Sequence, residues 1–232
     1  MEQKKEPKLA FRIILNLSLL ALYFLIPFIA SGDWGWAQAW IFLSINVIFV
    51  IISRGIAIRL NPDIIRERLT ASSKSDTKNW DKWLMPVMIV FPAIIGLVAG
   101  LNHRFGWPPV VPLSLQVVGL IFYIFAQSFA TWAMSVNAFF SSQVRIQTDR
   151  GHHVISEGPY KFVRHPGYAG GILAIICSAL ILESYWALIP AIASIPFYCL
   201  RTSLEDKTLQ EELPGYQEYA QKVRFRLIPG IW

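Results

Sequence analysis

Apolar residues fall in long runs separated by short polar, basic or Pro/Gly-containing stretches, and the runs match the thickness of a bilayer. A helix of about 20 apolar residues crosses the hydrocarbon core. Runs at about 11–30, 36–58, 83–101 and 113–134 have that length, and two more follow at about 166–183 and 185–200. The pattern predicts an all-α fold: a polytopic membrane helix bundle of about six transmembrane helices. Pro86 and Pro92 lie inside the third run, where a membrane helix tolerates proline. The first run follows the basic stretch MEQKKEPK and ends at Ala30-Ser31-Gly32, as a cleaved leader would. Its length and the spans after it favour an uncleaved first helix.

The polar stretches divide the chain into two parts. Residues 1–134 form a four-span region whose segment 59–82 contains NPDIIRERL and NWDKW. Pro62 suits a first helical turn, and Ile64, Ile65 and Leu69 recur at helical spacing, which predicts a short helix on the membrane surface. Residues 135–232 form the second part: a polar segment, a helical hairpin over 166–200, and a charged tail that is helical until Pro214-Gly215 breaks it after Leu213.

Charge orients this arrangement. Of the 21 Lys and Arg residues, all but Arg104 lie in segments that six spans place on one side of the membrane. The positive-inside rule then puts both termini in the cytoplasm, in an integral membrane protein expected in a bacterial inner membrane. Composition agrees, with 54% hydrophobic residues and only 16% charged, against about 25% charged in soluble domains. The nine tryptophans sit largely at the ends of apolar runs. A net charge of +6 is compatible with nucleic acid, but basic residues that flank apolar spans serve the membrane, so no nucleic-acid partner is expected. Cys177 and Cys199 lie inside spans as small packing residues. The adjacent His152 and His153 project differently and lack accompanying ligands, so no metal is expected. There is no GxGxxG, P-loop or HExxH pattern.

The chemistry concentrates in Glu157–Gly171, EGPYKFVRHPGYAGG, at the junction of the polar segment and the fifth span. Pro166 suits the first helical position and leaves His165 at the N-cap, where free amides and the helix dipole favour an anionic group. Tyr168 stands in the first turn. Arg164 and His165 can serve a ligand, or they can bind lipid phosphate and cap the helix. Gly167, Gly171, Ala174 and Ser178 form a small-residue stripe that predicts close helix packing. Spans five and six form a hairpin, so Arg201 and Glu205 should come close to Arg164 and His165. Those two are four apart on one helical face, as an interfacial ion pair or as functional groups. Asp206, Glu211 and Glu212 are expected on a solvated face.

Two segments, HHVISEGPYKFVRHPGYAGG and RTSLEDKTLQEELPGYQEYAQKVRFRLIPGIW, strongly resemble the isoprenylcysteine carboxyl methyltransferase family of membrane methyltransferases. The resemblance covers about Asn137 to Trp232. It implies S-adenosylmethionine as methyl donor, bound by a cytoplasmic C-terminal region, and a lipophilic or small-molecule methyl acceptor among membrane lipids. It implies that Gly158, Pro159, Tyr160, His165 and Tyr168 contact the cofactor. Arg164 and Glu205 match the catalytic pair proposed for the family, and Arg201 occupies its arginine position. Where the family often has two adjacent glutamates, this chain has Glu205-Asp206. Placed at a membrane boundary, Arg164 and Glu205 are expected to resemble a partly exposed ion pair, so alanine at either should cost within about 1 kcal/mol of stability. Two alternatives stand beside this reading: an NADPH-dependent membrane reductase of the sterol reductase type, and a non-catalytic protein with the same bundle.

The charge distribution makes a direct prediction. Topology reporters inserted at Asp33, His103 and Ser184 should report the outer face, and one after Trp232 the cytoplasm. An outer signal from the last would separate the tail from the compartment of a water-soluble methyl donor.

Overall fold

Each apolar run folds as a helix, and for all but the sixth the bounds follow the hydropathy pattern within a few residues. The computed structural model describes residues 9–60, 67 and 76–232. Its helices are α1 (Leu9–Ser31), α2 (Ala37–Leu60), α3 (Asn79–Phe105), α4 (Leu113–Val136), α5 (Pro166–Ile181), α6 (Leu188–Glu212) and α7 (Tyr216–Lys222). The described residues form an all-helical membrane bundle, in which α2, α3 and α4 are each long and apolar enough to cross a bilayer. The NPDIIRERL part of the expected surface segment 59–82 lies outside the described residues, apart from Glu67.

The core lies where the helices converge. Phe24 and Phe28 of α1, Phe42 of α2, Ile95 and Ala99 of α3, Tyr123 and Ala126 of α4, and Ala174 and Ile175 of α5 pack into one buried cluster. The opposite faces carry exposed Ile48, Ile51, Ile121, Phe125, Ile189 and Ile192. That inversion of the soluble-protein pattern is what a lipid environment demands.

Helix α5 makes its closest approaches through glycine. A Cβ on Gly170 would lie 2.7 Å from the carbonyl oxygen of Ala126 in α4, and a Cβ on Gly119 of α4 only 2.8 Å from Leu180 Cβ. The predicted stripe contributes differently. Gly171 meets the Tyr198 ring of α6, and Gly167 meets Phe140, where a Cβ would come within 2.7 Å of the ring. Contact with α4 is thus made by Gly170, one position off the stripe.

Two helix lengths shape the site. Helix α6 does not stop at the predicted span end near 200; it runs unbroken through Pro196 to Glu212. Its 25 residues extend about 37 Å, more than the roughly 30 Å hydrocarbon core, so its charged C-terminal end reaches past that core. Helix α5 has 16 residues and spans about 24 Å. At that end a second buried cluster forms from Ala133, Tyr160, Leu213, Tyr216 and Tyr219. The other end is closed by Glu183, whose carboxylate accepts from Trp36 Nε1 at 2.8 Å and Gln38 Nε2 at 3.1 Å and meets His103 Nδ1 at 3.1 Å.

Gly170→Val should force α4 and α5 apart and cost about 1–3 kcal/mol, the range for overpacking a tight contact. Gly171→Ala, with 3.5 Å of room to Tyr198, should cost far less. Thermal denaturation of the two variants in detergent checks the contrast.

Candidate active site

Where α5 begins, a cavity of about 270 Å³ opens between the polar segment, α5, α6 and α7. Its walls include Tyr160, Arg164, His165, Tyr168, Arg201 and Glu205. Met85 and Tyr219, 134 positions apart in the chain, both line it. Gly158 and Pro159 stand outside the lining: Gly158 turns the chain at φ +55° against Trp132, and Pro159 is fully buried behind it.

The polar contacts differ from a simple Arg164–Glu205 pair. Arg164 is 7% exposed and grips Asp206, with Nε on Oδ1 at 2.7 Å and Nη2 on Oδ2 at 2.9 Å. Its Nη1 donates to the carbonyls of Val223 and Arg224, both at 2.8 Å. Asp206, expected on a solvated face, is completely buried and forms the hub of the site. It also accepts from Gln210 Nε2 at 2.8 Å, Arg226 Nε at 2.9 Å and the Tyr216 hydroxyl at 3.1 Å, and meets His165 Nε2 at 3.2 Å. Burial alone would raise the Asp206 carboxyl pKa, but hydrogen bonds from His165, Arg164 and Arg226 outweigh it and hold the group well below the usual carboxylate range. The signal for this was present in the sequence. Thr202, Asp206, Leu209 and Leu213 recur at spacings of four, three and four, which is a packing stripe and not a wet face.

His165 holds the N-cap position of α5 without capping by its side chain; its ring is turned toward Asp206. Its backbone N–H donates to the Arg226 carbonyl, and that of Arg164 to the Phe225 carbonyl, each at 2.9 Å. The tail after α7 is thereby strapped to the start of α5.

Arg201 and Glu205 also find unforeseen neighbours. Arg201 donates from Nε and Nη2 to the fully buried Asp81 in the first turn of α3, at 2.7 and 3.1 Å, and from Nη2 to the Ser142 carbonyl at 2.9 Å. Its guanidinium lies 5.5 Å from the Tyr168 ring centroid, and its Nη1 has no hydrogen-bond partner among the described residues. Glu205 Oε2 accepts from the Tyr168 hydroxyl at 2.5 Å, while its Oε1 has no partner among the described residues. The cavity thus presents one uncommitted carboxylate oxygen and the unused N–H groups of Arg201.

The polar segment supplies the remaining wall. Asn137 donates to the Tyr160 hydroxyl at 2.8 Å, and the Tyr219 hydroxyl to the Tyr160 carbonyl at 2.7 Å. Burial pushes the phenols of Tyr160, Tyr216 and Tyr219 up, so they stay protonated at neutral pH. Buried Arg145 spans Glu67, Asp76 and Asp149 and holds the segment in shape. His152 packs on Phe139 and accepts from the Gln147 N–H through Nδ1, so it is held neutral. Burial, then His153, Arg145 and Arg150, lower its pKa from 6.5 to about 4. No group of three or more His, Cys, Asp or Glu among the described residues could hold a metal ion.

Comparison with known proteins follows the same region. Residues 118–211 match the isoprenylcysteine carboxyl methyltransferase (ICMT) family. A rice (Oryza sativa) protein named probable protein-S-isoprenylcysteine O-methyltransferase is 25% identical over 196 residues, 81% of this chain and 94% of the rice protein. The Xenopus laevis protein-S-isoprenylcysteine O-methyltransferase is 29% identical over 117 residues, 47% of this chain and 39% of that protein. The uncharacterized protein YpbQ of Bacillus subtilis is 32% identical over 82 residues, 34% of this chain. The chain spans about half (48%) of that Bacillus protein's length.

The burial of Arg164 with Asp206 revises the small cost expected of Arg164→Ala. Asp206→Ala or Arg164→Ala should each cost about 3–5 kcal/mol, because each leaves a buried charge without its partner. Glu205→Gln, half-buried with one oxygen already free, should cost about 1 kcal/mol or less. Chemical denaturation of the three variants distinguishes the roles.

Titration provides a second check. Because the folded His152 pKa lies below 6.5, the unfolded chain binds the extra proton, and stability falls as pH drops from about 6.5 toward 4. The contribution of Asp206 persists through that window and is lost only below its ordinary 3.8. His152→Phe should flatten the melting temperature between pH 6.5 and 4 and leave the acid limb intact.

Proposed function

From a chain that belongs to the isoprenylcysteine carboxyl methyltransferase family, we propose an integral-membrane enzyme that transfers a methyl group from S-adenosylmethionine to a lipophilic acceptor at the cytoplasmic interface. The observation that carries this reading is the unpartnered Glu205 Oε1, in a cavity walled by Tyr160, His165 and Tyr168 where the polar end of the bundle meets its apolar core. The cofactor, when bound, supplies an electrophilic methyl group on a sulfonium.

The residues present suit that group. A carboxylate oxygen without a partner favours a cation, either the ammonium or the sulfonium, and the Tyr160 and Tyr168 rings add aromatic faces that attract positive charge. Arg201 suits an anionic carboxylate. Asp81 already fixes its guanidinium, and its Nη1 N–H groups remain free, so it offers oriented charge without a reorganisation cost. Arg164 acts differently in this reading: locked on Asp206 and two carbonyls, it positions the start of α5 and with it His165 and Tyr168.

Methyl transfer is an in-line displacement that depends on alignment more than on strong acids or bases. The chain's contribution is to hold donor and acceptor in line. Glu205, anchored by the Tyr168 hydroxyl, would fix the cationic end of the donor. Arg201 would hold the acceptor's anion, a carboxylate in the description of the matched family. Two arginines close to the cavity are each neutralised by a buried aspartate, so neither simply repels a sulfonium.

S-adenosylmethionine and S-adenosylhomocysteine should bind with Kd in the micromolar range, roughly −7 to −8 kcal/mol, and NADPH should not compete. Tyr168→Ala should weaken both ligands, the sulfonium form more. Glu205→Gln should lower turnover about a hundredfold or more. Calorimetric titration with the three ligands and transfer of a labelled methyl group to N-acetyl-S-farnesylcysteine test the reading. Binding of NADPH without S-adenosylmethionine would replace it with a reductase.

A further inference from the structure

A second cavity, of about 180 Å³, lies between α2 and α4 and touches the first through a shared wall. That wall is Phe140, which lines both. The crevice is lined by Phe49, Val50, Ala130 and Met134, as a hydrocarbon site would be, but also by Asn46, Ser53, Gln127 and Thr131. These polar residues do not stand at a helix end. Gln127 lies nine residues before the end of α4 at Val136, roughly 13 Å along the axis, and α4 is one of the helices able to cross a bilayer.

Their hydrogen-bonding capacity is only partly used. Asn46 donates to the Phe42 carbonyl at 2.7 Å and accepts from the Tyr123 hydroxyl at 2.7 Å, and Gln127 Nε2 donates to the same hydroxyl at 3.3 Å. Ser53 donates back to the Val50 carbonyl at 3.2 Å. Gln127 Oε1 and the Thr131 hydroxyl, one helical turn apart, have no hydrogen-bond partner among the described residues. Both side chains are half-buried, and in a crevice facing hydrocarbon an unpaired amide oxygen and hydroxyl favour a polar partner. A plain hydrocarbon chain would leave both unsatisfied. A hydroxyl both donates and accepts, so one such group can serve Gln127 Oε1 and Thr131 together.

We propose that this crevice holds the chain of the methyl acceptor, and that the acceptor is an amphiphile bearing a hydroxyl partway along its chain. The proposal rests on the methyltransferase reading above and adds a substrate class to it. Phe140 would stand where the chain enters the cavity, packed against Gly167, whose lack of a side chain leaves the ring its room. The hydroxyl would be read by Gln127 and Thr131, and the reactive head would reach the Arg201 and Glu205 end.

The test uses the whole protein in lipid nanodiscs, saturated with S-adenosylhomocysteine. Equilibrium binding is measured for two S-alkylcysteines, one with a plain dodecyl chain and one with a hydroxyl near the middle of that chain. The hydroxylated probe should bind about fivefold tighter, the gain of roughly one hydrogen bond formed where two groups were unpaired. Gln127→Leu combined with Thr131→Val should abolish that preference and leave S-adenosylhomocysteine binding unchanged. Equal binding of the two probes to the wild-type protein overturns the hydroxyl assignment, and a preference that survives the double substitution overturns the crevice. Absence of S-adenosylhomocysteine binding overturns the methyltransferase reading on which the proposal stands, and is seen before either probe is added.

Discussion

Asp206 is the constraint on which the polar end of this protein depends. A fully buried carboxylate is tolerable only if its charge is balanced and its lone pairs are used. Here Arg164 comes from the start of α5, Arg226 and Tyr216 from the tail, Gln210 from α6, and His165 from the N-cap of α5. These partners come from three pieces of chain, so satisfying one side chain fixes the mutual position of α5, α6 and the tail. The cavity is the space left beside that knot. Glu205, the residue before Asp206, faces that space with one oxygen that has no partner among the described residues.

A second clamp of the same kind works from the other wall. Asp81, fully buried in the first turn of α3, takes Arg201 through two hydrogen bonds and also accepts from the Val144 N–H at 2.8 Å. This ties the four-span region to the polar segment and to α6 at once. The two arginines nearest the cavity therefore act first as structural cations. What remains for a ligand is the part of Arg201 that faces away from Asp81.

The bundle was legible in the sequence because its signal is local. A run such as 113–134 announces a spanning helix whatever surrounds it, and α4 begins at Leu113 and ends at Val136. The assembly of the site was half legible. The hairpin argument brings Arg164 and His165 near Arg201 and Glu205, and the structure lines one cavity with all four, with Tyr168 the residue that bonds Glu205. The partnerships were not legible. Arg164 meets Asp206 at a separation of 42 residues, Arg145 meets Glu67 at 78, and Arg201 meets Asp81 at 120. No periodicity links such pairs, since they are selected by how helices pack. The misplacing of Asp206 has a sharper cause. Its charged neighbours Glu211 and Glu212 suggest a wet face, whereas its place on the helical stripe with Thr202, Leu209 and Leu213 turns it inward.

The strap that joins residues 164–165 to 223–226 also sets an order of events during biosynthesis. Arg164 leaves the ribosome some 60 residues ahead of the carbonyls of Val223 and Arg224 and the backbone of Phe225 and Arg226 that complete its coordination. At 5–20 residues per second that interval is roughly 3–12 s. Helices α1 to α5 can settle in the lipid during this time, while the arginine waits, hydrated, at the membrane surface. The bundle is thus a product of insertion, and the chemistry-bearing end a product of a later closure made in water.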